Sequence, residues 1–310
     1  MPMTSELSKP DQVTVLMSTY NGSQFLQQQL NSLYEQTYAN VKILVRDDGS
    51  TDTTRDMLAS EQLRGAIEQL EGYNNVGSTR SFFALLRHAA RTKTTYVTFC
   101  DQDDVWQANK IERAVSILSS VSDCPALYCS RLEIVNEQLQ ALELSVKPRK
   151  IGFGNALVEN IALGCTMVLN RKAIDLLCHQ PLPSQVYIHD WWCYLVIACF
   201  GEVIFDNNAL IKYRQHSGNA IGVATNHIAI LKQKLARLLS GRLWISEQAV
   251  VFLELFADRL PPSQRLLVEL LIKAKSSFGC RIRLALSNAI WRQKCVDNLI
   301  LRLVVLMNRI

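Results

Sequence analysis

The sequence lacks both glycine-rich motifs that commonly hold the phosphates of a nucleotide. No G-x-G-x-x-G follows the first apolar run, and no G-x-x-x-x-G-K-[ST] occurs anywhere in the 310 residues. The dinucleotide fingerprint and the P-loop are therefore excluded. If the chain binds a phosphorylated ligand, we expect a metal ion to hold the phosphates, because hard divalent cations bind carboxylate and phosphate oxygen together.

Signals for disulfides, export and membrane spanning are also missing. The nine cysteines include no C-x-x-C pair and mostly lie in apolar segments, which indicates reduced core residues of a cytosolic protein. The opening residues, MPMTSELSKPDQ, lack the basic-then-apolar pattern of a signal peptide. The final apolar run, LILRLVVLM, is too short to cross a bilayer and is interrupted by Arg302.

Charge is distributed unevenly along the chain. The net charge is +5, but residues 223–310 contain fourteen Lys and Arg against five Asp and Glu, so the preceding residues carry a net −4. A mildly acidic body with a strongly basic tail predicts that the tail meets an anionic partner, either a membrane surface or nucleic acid. The length suits one large domain, or a domain with an appendage.

Apolar runs alternate with helical patterns in the first part of the chain. The runs Val13–Ser18, Val41–Arg46, Ala66–Leu70 and Tyr96–Cys100 predict four strands, each followed by apolar residues at helical spacing. This alternation predicts an α/β fold with an open, mostly parallel central sheet flanked by helices on both sides. Further along, Cys129–Asn136 predicts an edge strand.

The loops after three of these strands are unusually polar. The segment Thr19–Asn21 follows the first strand, Asp47 and Asp48 follow the second, and Asp101–Asp104 follows the fourth. Ligands of such sheets bind beyond the carboxyl ends of the strands, so the three segments should converge on one rim. Three carboxylates within four positions repel one another unless a divalent cation such as Mg²⁺ or Mn²⁺ lies among them. A solvated acidic turn that caps the next helix is the alternative, and the pattern alone leaves it open.

Seven segments, in the expected order from Val13 to Gly222, resemble motifs of the inverting family 2 glycosyltransferases. They read VTVLMSTYNG, VRDDGSTDTT, NNVGSTRSFF, DQDDVWQANKI, GCTMVLNRKAI, HDWW and YRQHSGNAIG. The DQDDVW form is similar to the rhamnosyltransferase-like branch, whose members build bacterial surface polysaccharides. The resemblance implies a Rossmann-like GT-A catalytic domain over residues 1–222.

The resemblance also implies a nucleotide site on the predicted rim. Thr19, Tyr20 and Asn21 would lie near the base and ribose. Asp47 or Asp48 would accept a hydrogen bond from a pyrimidine imide N–H, because an ionised carboxylate can only accept. From local sequence alone, Tyr20 could instead pack on the helix, and Asp47 and Asp48 could cap one.

The remaining donor-side roles fall on Asp101 and Arg80. The resemblance places Asp101 on the ribose, and it places Arg80 close to the nucleotide or the diphosphate. A solvated arginine at the start of a helix is an equally good interpretation of Arg80.

A metal site and a phosphate contact are implied by the same family pattern. Asp103 would be the principal ligand of Mg²⁺ or Mn²⁺, with Asp104 in support and His216 reaching the metal or the diphosphate. Arg214 suits phosphate charge, and Trp106 would wall the sugar pocket. The alternatives are a hydrogen-bonded structural role for His216 and a core position for Trp106.

Asp190, in the HDWW motif, would be the general base. Inverting transfer requires one, because the acceptor hydroxyl must lose its proton as it attacks the anomeric carbon opposite the diphosphate. Without the resemblance, Asp190 would be assigned to a helix N-terminus, with Trp191 and Trp192 in the core.

Residues 223–310 are predicted to be a basic, amphipathic helical region that docks on an anionic membrane surface. A helical subdomain packed on the catalytic body and a homo-oligomer interface are the alternatives. Nucleic acid is disfavoured because the basic residues lack interleaved aromatics. Gly218 and Gly222 would let the preceding motif act as a lid over the donor.

Together these features predict a metal-dependent inverting glycosyltransferase at the inner face of the cytoplasmic membrane. Its donor would be a nucleoside-diphosphate sugar, with dTDP-rhamnose first, and its acceptor a glycan carried on a lipid. A UDP-hexose or UDP-N-acetylhexosamine donor is the alternative within enzymes. A non-enzymatic α/β phosphoacceptor module that binds Mg²⁺ is the alternative of another class.

Overall fold

The computed structural model describes residues 10–72, 74–183, 185–216 and 244–310. The lid predicted at Gly218 and Gly222, and the boundary predicted between residues 222 and 223, lie outside these residues.

The first half of the sheet is parallel, as the alternation predicts. Its strands are β1 (Val13–Thr19), β2 (Val41–Asp47), β3 (Glu68–Gln69) and β4 (Tyr96–Cys100), side by side in the order β3-β2-β1-β4. The helices between them are α1 (Leu26–Tyr34), α2 (Thr54–Leu63) and α3 (Ser78–Ala90). A continuous apolar strand such as β1 is stable only when both of its faces are covered, and here they are.

The second half adds antiparallel pairs to this sheet. Its elements are β5 (Val105–Trp106), α4 (Lys110–Leu118), β6 (Ala126–Val135), β7 (Ala141–Leu144), α5 (Phe153–Ala156), a 3-10 turn (Gly164–Thr166), β8 (Val168–Asn170), α6 (Arg171–Cys178), α7 (His189–Phe200) and β9 (Glu202–Arg214). The order continues from β4 as β8-β6-β9-β5, and β8 runs antiparallel to both of its neighbours.

The prediction of an edge strand at Cys129–Asn136 was wrong. These residues belong mainly to β6, which lies between β8 and β9 inside the sheet and also pairs with β7 near its end. The polar residues in the run suggested an edge because local sequence does not reveal that β9, more than sixty residues later, pairs along the full length of β6.

Two hydrophobic cores cover the two faces of the sheet. In β1, Val15 and Met17 belong to the core under α1 and α4, whereas Leu16 belongs to the core under α3, α6 and α7. Successive residues of a strand point to opposite faces, so one short apolar run supplies both cores. The predicted helical cover on both sides is therefore confirmed.

The C-terminal helices pack on the α/β body. They are α8 (Ile245–Phe256), a 3-10 turn (Ala257–Arg259), α9 (Pro262–Ala274), α10 (Phe278–Leu286) and α11 (Cys295–Leu306). Phe252 and Phe256 of α8 lie against Trp192 and Phe200 of α7, with ring centroids 5.2 to 6.3 Å apart. Among the described residues, the helices are all too short or too polar to span a membrane.

A second contact between tail and body involves the loop before α11. The side-chain amide of Asn155 in α5 donates to Trp291 O at 3.0 Å, and the Lys150 ammonium lies 4.1 Å from the centre of the Trp291 ring. Gly154 fits beneath the same loop, because a Cβ there would lie 1.8 Å from Ala289 O.

We expect Gly154→Ala to lower the free energy of unfolding by about 1–3 kcal/mol. The added methyl group would overlap the backbone at Ala289, and the loop before α11 would have to move away from α5 to make room for it. Thermal unfolding followed by circular dichroism measures the change. Gly279→Ala is the matched control, since a Cβ at that helical position meets only Ser277 Oγ, at 3.9 Å. Equal melting temperatures for the two variants would contradict the packing described here.

Candidate functional site

The carboxyl ends of β1, β2 and β4 open onto a cavity of about 430 Å³. Six residues assigned to the site from sequence line it: Thr19, Tyr20, Asp48, Asp101, Asp103 and Asp190. Twelve further residues complete the lining: Ser18, Asn75, Gly77, Ser78, Phe82, Gln102, Leu163, Gly164, Cys165, Ile188, His189 and Tyr213. The three polar segments thus converge as predicted, and a second group from residues 163–190 joins them.

Asp47 serves the turn after β2 and does not line the cavity. Its carboxylate accepts hydrogen bonds from Thr19 Oγ1 at 3.1 Å, from the backbone N–H groups of Gly49 and Ser50 at 3.1 and 2.9 Å, and from Arg55. Burial raises the pKa of this carboxyl, but the donors outweigh burial and leave the pKa below its ordinary value. Asp47 therefore remains ionised and holds the turn.

Asp48 faces the cavity and fixes its rim. One carboxylate oxygen accepts from Val76 N at 2.9 Å and pairs with Arg46, and the other accepts from Gly77 N at 2.9 Å. Gly77 has φ 84°, a left-handed conformation that favours glycine. Asp48 therefore ties the loop before α3 to the end of β2.

Gln102 ties the first loop to the acidic turn. Its side-chain amide accepts from Tyr20 N at 2.8 Å and donates to Tyr20 O at 3.0 Å. The Tyr20 ring is left half exposed at the cavity. Asn21 lies behind it, outside the lining, and its side-chain oxygen accepts from Thr51 N at 2.8 Å. In the sequence, Gln102 is an uncharged amide between carboxylates, and this pattern could have identified it as a site residue.

At the end of β4, burial and neighbouring carboxyls raise the pKa of Asp101 and of Asp104. Burial, followed by repulsion from Asp103 and Asp190, raises the pKa of Asp101 to about 7. Asp104 is fully buried, and burial together with Asp103 and Asp101 holds its pKa well above the ordinary value. A divalent cation bound among these carboxyls would favour their ionised forms.

Arg214 contacts the acidic turn from the protein side and is not in the cavity lining. Its Nε donates to Asp103 O at 2.8 Å, its Nη2 donates to Gln28 Oε1 at 2.5 Å, and its backbone N–H donates to Asp104 Oδ1 at 3.2 Å. Arg214 is only 1 % exposed. It therefore contacts the acidic turn and does not face the cavity, where the predicted phosphate contact would be made. His216 Nε2 lies 2.7 Å from Asp103 Oδ2, so His216 does reach the predicted metal ligand.

Trp106, predicted from sequence to wall a sugar pocket, lies in the core and is not in the cavity lining. It is 3 % exposed, and the Lys110 ammonium lies 3.4 Å from the centre of its ring. Lys110 is itself fully buried beneath the acidic turn, with Nζ 3.1 Å from Thr98 Oγ1. Burial lowers its pKa to about 7. An aromatic residue just after a strand can face either way, and here it faces inward.

The donor set fits a hard divalent cation. Ligand atoms of Asp101, Asp104 and Cys165 lie within 4.8 Å of one another, and the Asp103–His216 pair belongs to the same acidic turn. Asp104 Oδ2 is buried without a hydrogen bond from the described residues, as a carboxylate oxygen kept for a cation would be. The carboxylate oxygens of this set suit Mg²⁺ or Mn²⁺. Burial raises the pKa of Cys165 well above its usual value, and Mg²⁺ and Mn²⁺ prefer carboxylate oxygen to thiol sulfur.

Asp190 lies in the first turn of α7, at the side of the cavity formed by residues 163–165. Its Oδ2 accepts from Gly164 N at 2.9 Å. Burial raises the pKa of Asp190 to about 6, against hydrogen bonds from Gly164, Trp191 and Asn160 that lower it. The carboxylate thus contacts the helix terminus and lines the cavity as well, while Trp192 is buried in the core.

Arg80 and His189 lie near these residues. Arg80 is exposed in the first turn of α3 and is not in the cavity lining. His189 is buried between Phe82 and Phe99, with ring centroids 4.1 and 4.9 Å away, and burial lowers its pKa to about 3. A neutral His189 adds no charge beside Asp190.

Comparison with known proteins identifies the family. The model of Glycosyl transferase family 2 matches residues 14–176. The chain is 26% identical over 302 residues to the dTDP-rhamnosyl transferase RfbG of Shigella flexneri, covering 94% of this chain and 99% of that protein. It is 31% identical over 164 residues to the UDP-Glc:alpha-D-GlcNAc-diphosphoundecaprenol beta-1,3-glucosyltransferase WfgD of Escherichia coli, covering 53% of this chain and 62% of that protein.

Solved glycosyltransferases share the fold at low sequence identity. S. aureus TarS 1-349 in complex with UDP-GlcNAc is 14% identical with a TM-score of 0.54, covering 96% of this chain and 90% of that one. The mannosyltransferase PcManGT from Pyrobaculum calidifontis, in complex with GDP-Man and Mn2+, is 18% identical with a TM-score of 0.54, covering 89% and 74%. The sheet with its polar rim and the family match agree: the chain belongs to glycosyl transferase family 2, has the GT-A fold and is a glycosyltransferase.

Proposed function

We propose that the protein transfers a sugar, with inversion, from a nucleoside diphosphate to a hydroxyl of a lipid-linked glycan. The observation that carries this proposal is the pairing, in one cavity, of an acidic turn suited to a metal and a diphosphate with a separate buried carboxyl at Asp190. A phosphoacceptor module would need no such second carboxyl, and family membership already identifies an enzyme.

The donor we propose first is dTDP-rhamnose. Similarity to a dTDP-rhamnosyl transferase along nearly the whole chain supports it, as does the DQDDVW sequence. A UDP-hexose is the second candidate, because WfgD by its name uses UDP-Glc. The name of WfgD also gives a sugar on a diphospholipid as its acceptor, which supports the same acceptor class here.

The donor-side residues would act by binding and orientation. Tyr20, with its ring exposed at the cavity, and Asp48, on the rim, would contact the base, and Asp101 would contact the ribose. Asp103, Asp104 and His216 would hold Mg²⁺ or Mn²⁺. When bound, the ion would stabilise the negative charge that develops on the leaving nucleoside diphosphate.

Asp190 would act as the general base. A carboxyl with a pKa near 6 is ionised at neutral pH, yet it is more basic than an ordinary aspartate and so accepts a proton more readily. The Gly164 N–H would hold the carboxylate in place while the acceptor hydroxyl loses its proton.

We expect Asp190→Asn to lower kcat at least about a hundred-fold while the affinity for the nucleotide changes little, because the amide cannot take up the proton. Release of nucleoside diphosphate in the presence of acceptor measures turnover, and calorimetry with dTDP or UDP measures binding. In the wild type, kcat/KM should fall below about pH 6 as the carboxylate becomes protonated.

Asp175→Asn provides the control for this experiment, since Asp175 is a half-exposed carboxylate on α6 that pairs with Arg171. If Asp190→Asn retains turnover, Asp190 is not the general base, even if the wild-type kcat/KM falls below about pH 6.

For the metal site we expect Asp103→Ala to abolish the gain in nucleotide affinity that Mn²⁺ gives the wild type, because the carboxylate that pairs with His216 is lost. Titration of dTDP or UDP with and without Mn²⁺ measures the gain. Asp56→Ala, which removes an exposed carboxylate on α2, is the control. An Mn²⁺ effect of normal size in Asp103→Ala would contradict the assignment.

We also propose that α10 and α11 dock on an anionic membrane surface. Apolar side chains that are 38 to 78% exposed recur at helical spacing along both helices: Phe278, Ile282 and Leu286 on α10, and Val296, Leu299, Leu303 and Leu306 on α11. Arg283 and Arg309 are exposed in the same region. Apolar insertion together with basic side chains is how peripheral helices bind lipid headgroups.

We expect the double variant Leu299→Glu/Leu303→Glu to lose most binding to phosphatidylglycerol vesicles in a flotation assay, because charges replace the inserting side chains. Leu63→Glu, at a 90% exposed position on α2, should float like the wild type. If the double variant floats normally, or if it instead turns a dimeric wild type into a monomer, the two helices serve another purpose.

A further inference from the structure

A second cavity, of about 230 Å³, lies beside the 430 Å³ cavity described above. Its walls come from four parts of the chain: β6 with the loop after β7, residues 159–163, Phe205 of β9, and residues at the start of α11. The catalytic body and the C-terminal helices therefore build it together, and no role has yet been given to it.

The second cavity adjoins the proposed base. Leu163 lines both cavities, so the two cavities adjoin at this residue. Asn160 lines the second cavity, and its side chain hydrogen-bonds with Asp190, which lines the first. Asn160 Oδ1 accepts from Ala162 N at 3.1 Å, which leaves the amide NH₂ as the group that faces the carboxylate. A group bound in the second cavity would thus lie next to the base.

The wall chemistry suits a sugar. Leu132, Ile161 and Phe205 offer apolar surface for the C–H face of a pyranose ring. Ser130, Ser145, Asn160 and Gln293 offer polar groups among them. A mainly apolar wall with a few polar groups is the usual composition of a small-molecule site.

The charges of this cavity are of two kinds. The Glu159 carboxylate is held within the wall, where it accepts from Asn155 Nδ2 at 2.9 Å and from Gln293 N at 2.7 Å. Asp297 is likewise buried. Lys147 and Lys294, by contrast, are exposed at the opening, where they can meet an anion. The free positive charge at the mouth thus favours a ligand that carries a phosphate.

We propose that the second cavity binds the accepting sugar of a diphosphate-linked glycan, with its diphosphate at Lys147 and Lys294. This proposal rests on the proposed function. The acceptor hydroxyl reaches past Leu163 to Asp190, and its oxygen forms the new bond to the anomeric carbon. The bond from that carbon to the donor phosphate breaks, the nucleoside diphosphate leaves with the electron pair, and the hydroxyl proton passes to Asp190.

The test uses the full chain and a panel of synthetic phenoxyundecyl diphosphate sugars bearing GlcNAc, glucose, galactose or rhamnose, with the methyl glycoside of each. Binding is measured by fluorescence competition in the presence of dTDP or UDP, and transfer is measured with the matching donors. Val146→Trp fills the mouth from a 64% exposed position, and Lys147→Glu/Lys294→Glu reverses its charge. Leu63→Trp and Lys93→Glu are the matched controls at exposed positions elsewhere.

We expect Val146→Trp to weaken binding of the best diphosphate sugar about ten-fold or more, while nucleotide affinity stays within about two-fold of wild type. The charge reversal should weaken the diphosphate sugar by about ten-fold and leave the methyl glycoside unchanged. Both controls should behave like the wild type.

The proposal is overturned if Val146→Trp binds the probes as the wild type does, or if the wild type binds nucleotide but no member of the panel. An effect of Val146→Trp without an effect of charge reversal would overturn the diphosphate assignment. Probe binding that depends on Val146 without any transfer would support the acceptor cavity while contradicting the proposed reaction, so the two failures are distinguishable.

Discussion

The constraint on which the site depends is the crowding of three carboxyl groups at the end of β4. Asp101 and Asp104 are held close together in a buried place, and each has its pKa raised by burial and by its acidic neighbours. Like charges so arranged store unfavourable energy that a bound cation relieves. Two residues of the surrounding protein hold the turn in place. Arg214 donates hydrogen bonds to Asp103 O and to the Asp104 carboxylate, and His216 pairs with Asp103.

Asp190 is governed by different physics from the acidic turn. It comes from a helix almost ninety residues later in the chain, and burial raises its pKa while only hydrogen bonds from neutral groups oppose the shift. Gly164 can donate its N–H to this carboxylate because it has no side chain, as a Cβ there would lie 2.9 Å from His189 Nε2. One cavity thus brings together an acidic turn that we propose binds a cation and a carboxyl that we propose accepts a proton, the two functions that inverting transfer would require.

Sequence patterns located the rim well but could not orient every side chain on it. Asp47 and Asp48 are adjacent and identical, yet Asp48 faces the cavity and Asp47 holds its own turn, since successive side chains at a strand end point in opposite directions. Trp106 and Arg214 carried plausible roles in the site and proved to be interior residues. Gln102, which joins the first loop to the acidic turn, lay between assigned aspartates and was overlooked.

The sequence by itself determined the alternation of strands and helices, the polar residues at the strand ends and the family, because apolar periodicity and short motifs are local properties of a chain. Only the tertiary structure decided that β6 lies inside the sheet, that Arg214 contacts Asp103 across 111 positions, and that residues 159–163 stand between two cavities. The physical reason is that burial and pairing depend on partners distant in sequence, and no local pattern records which partner a side chain will meet.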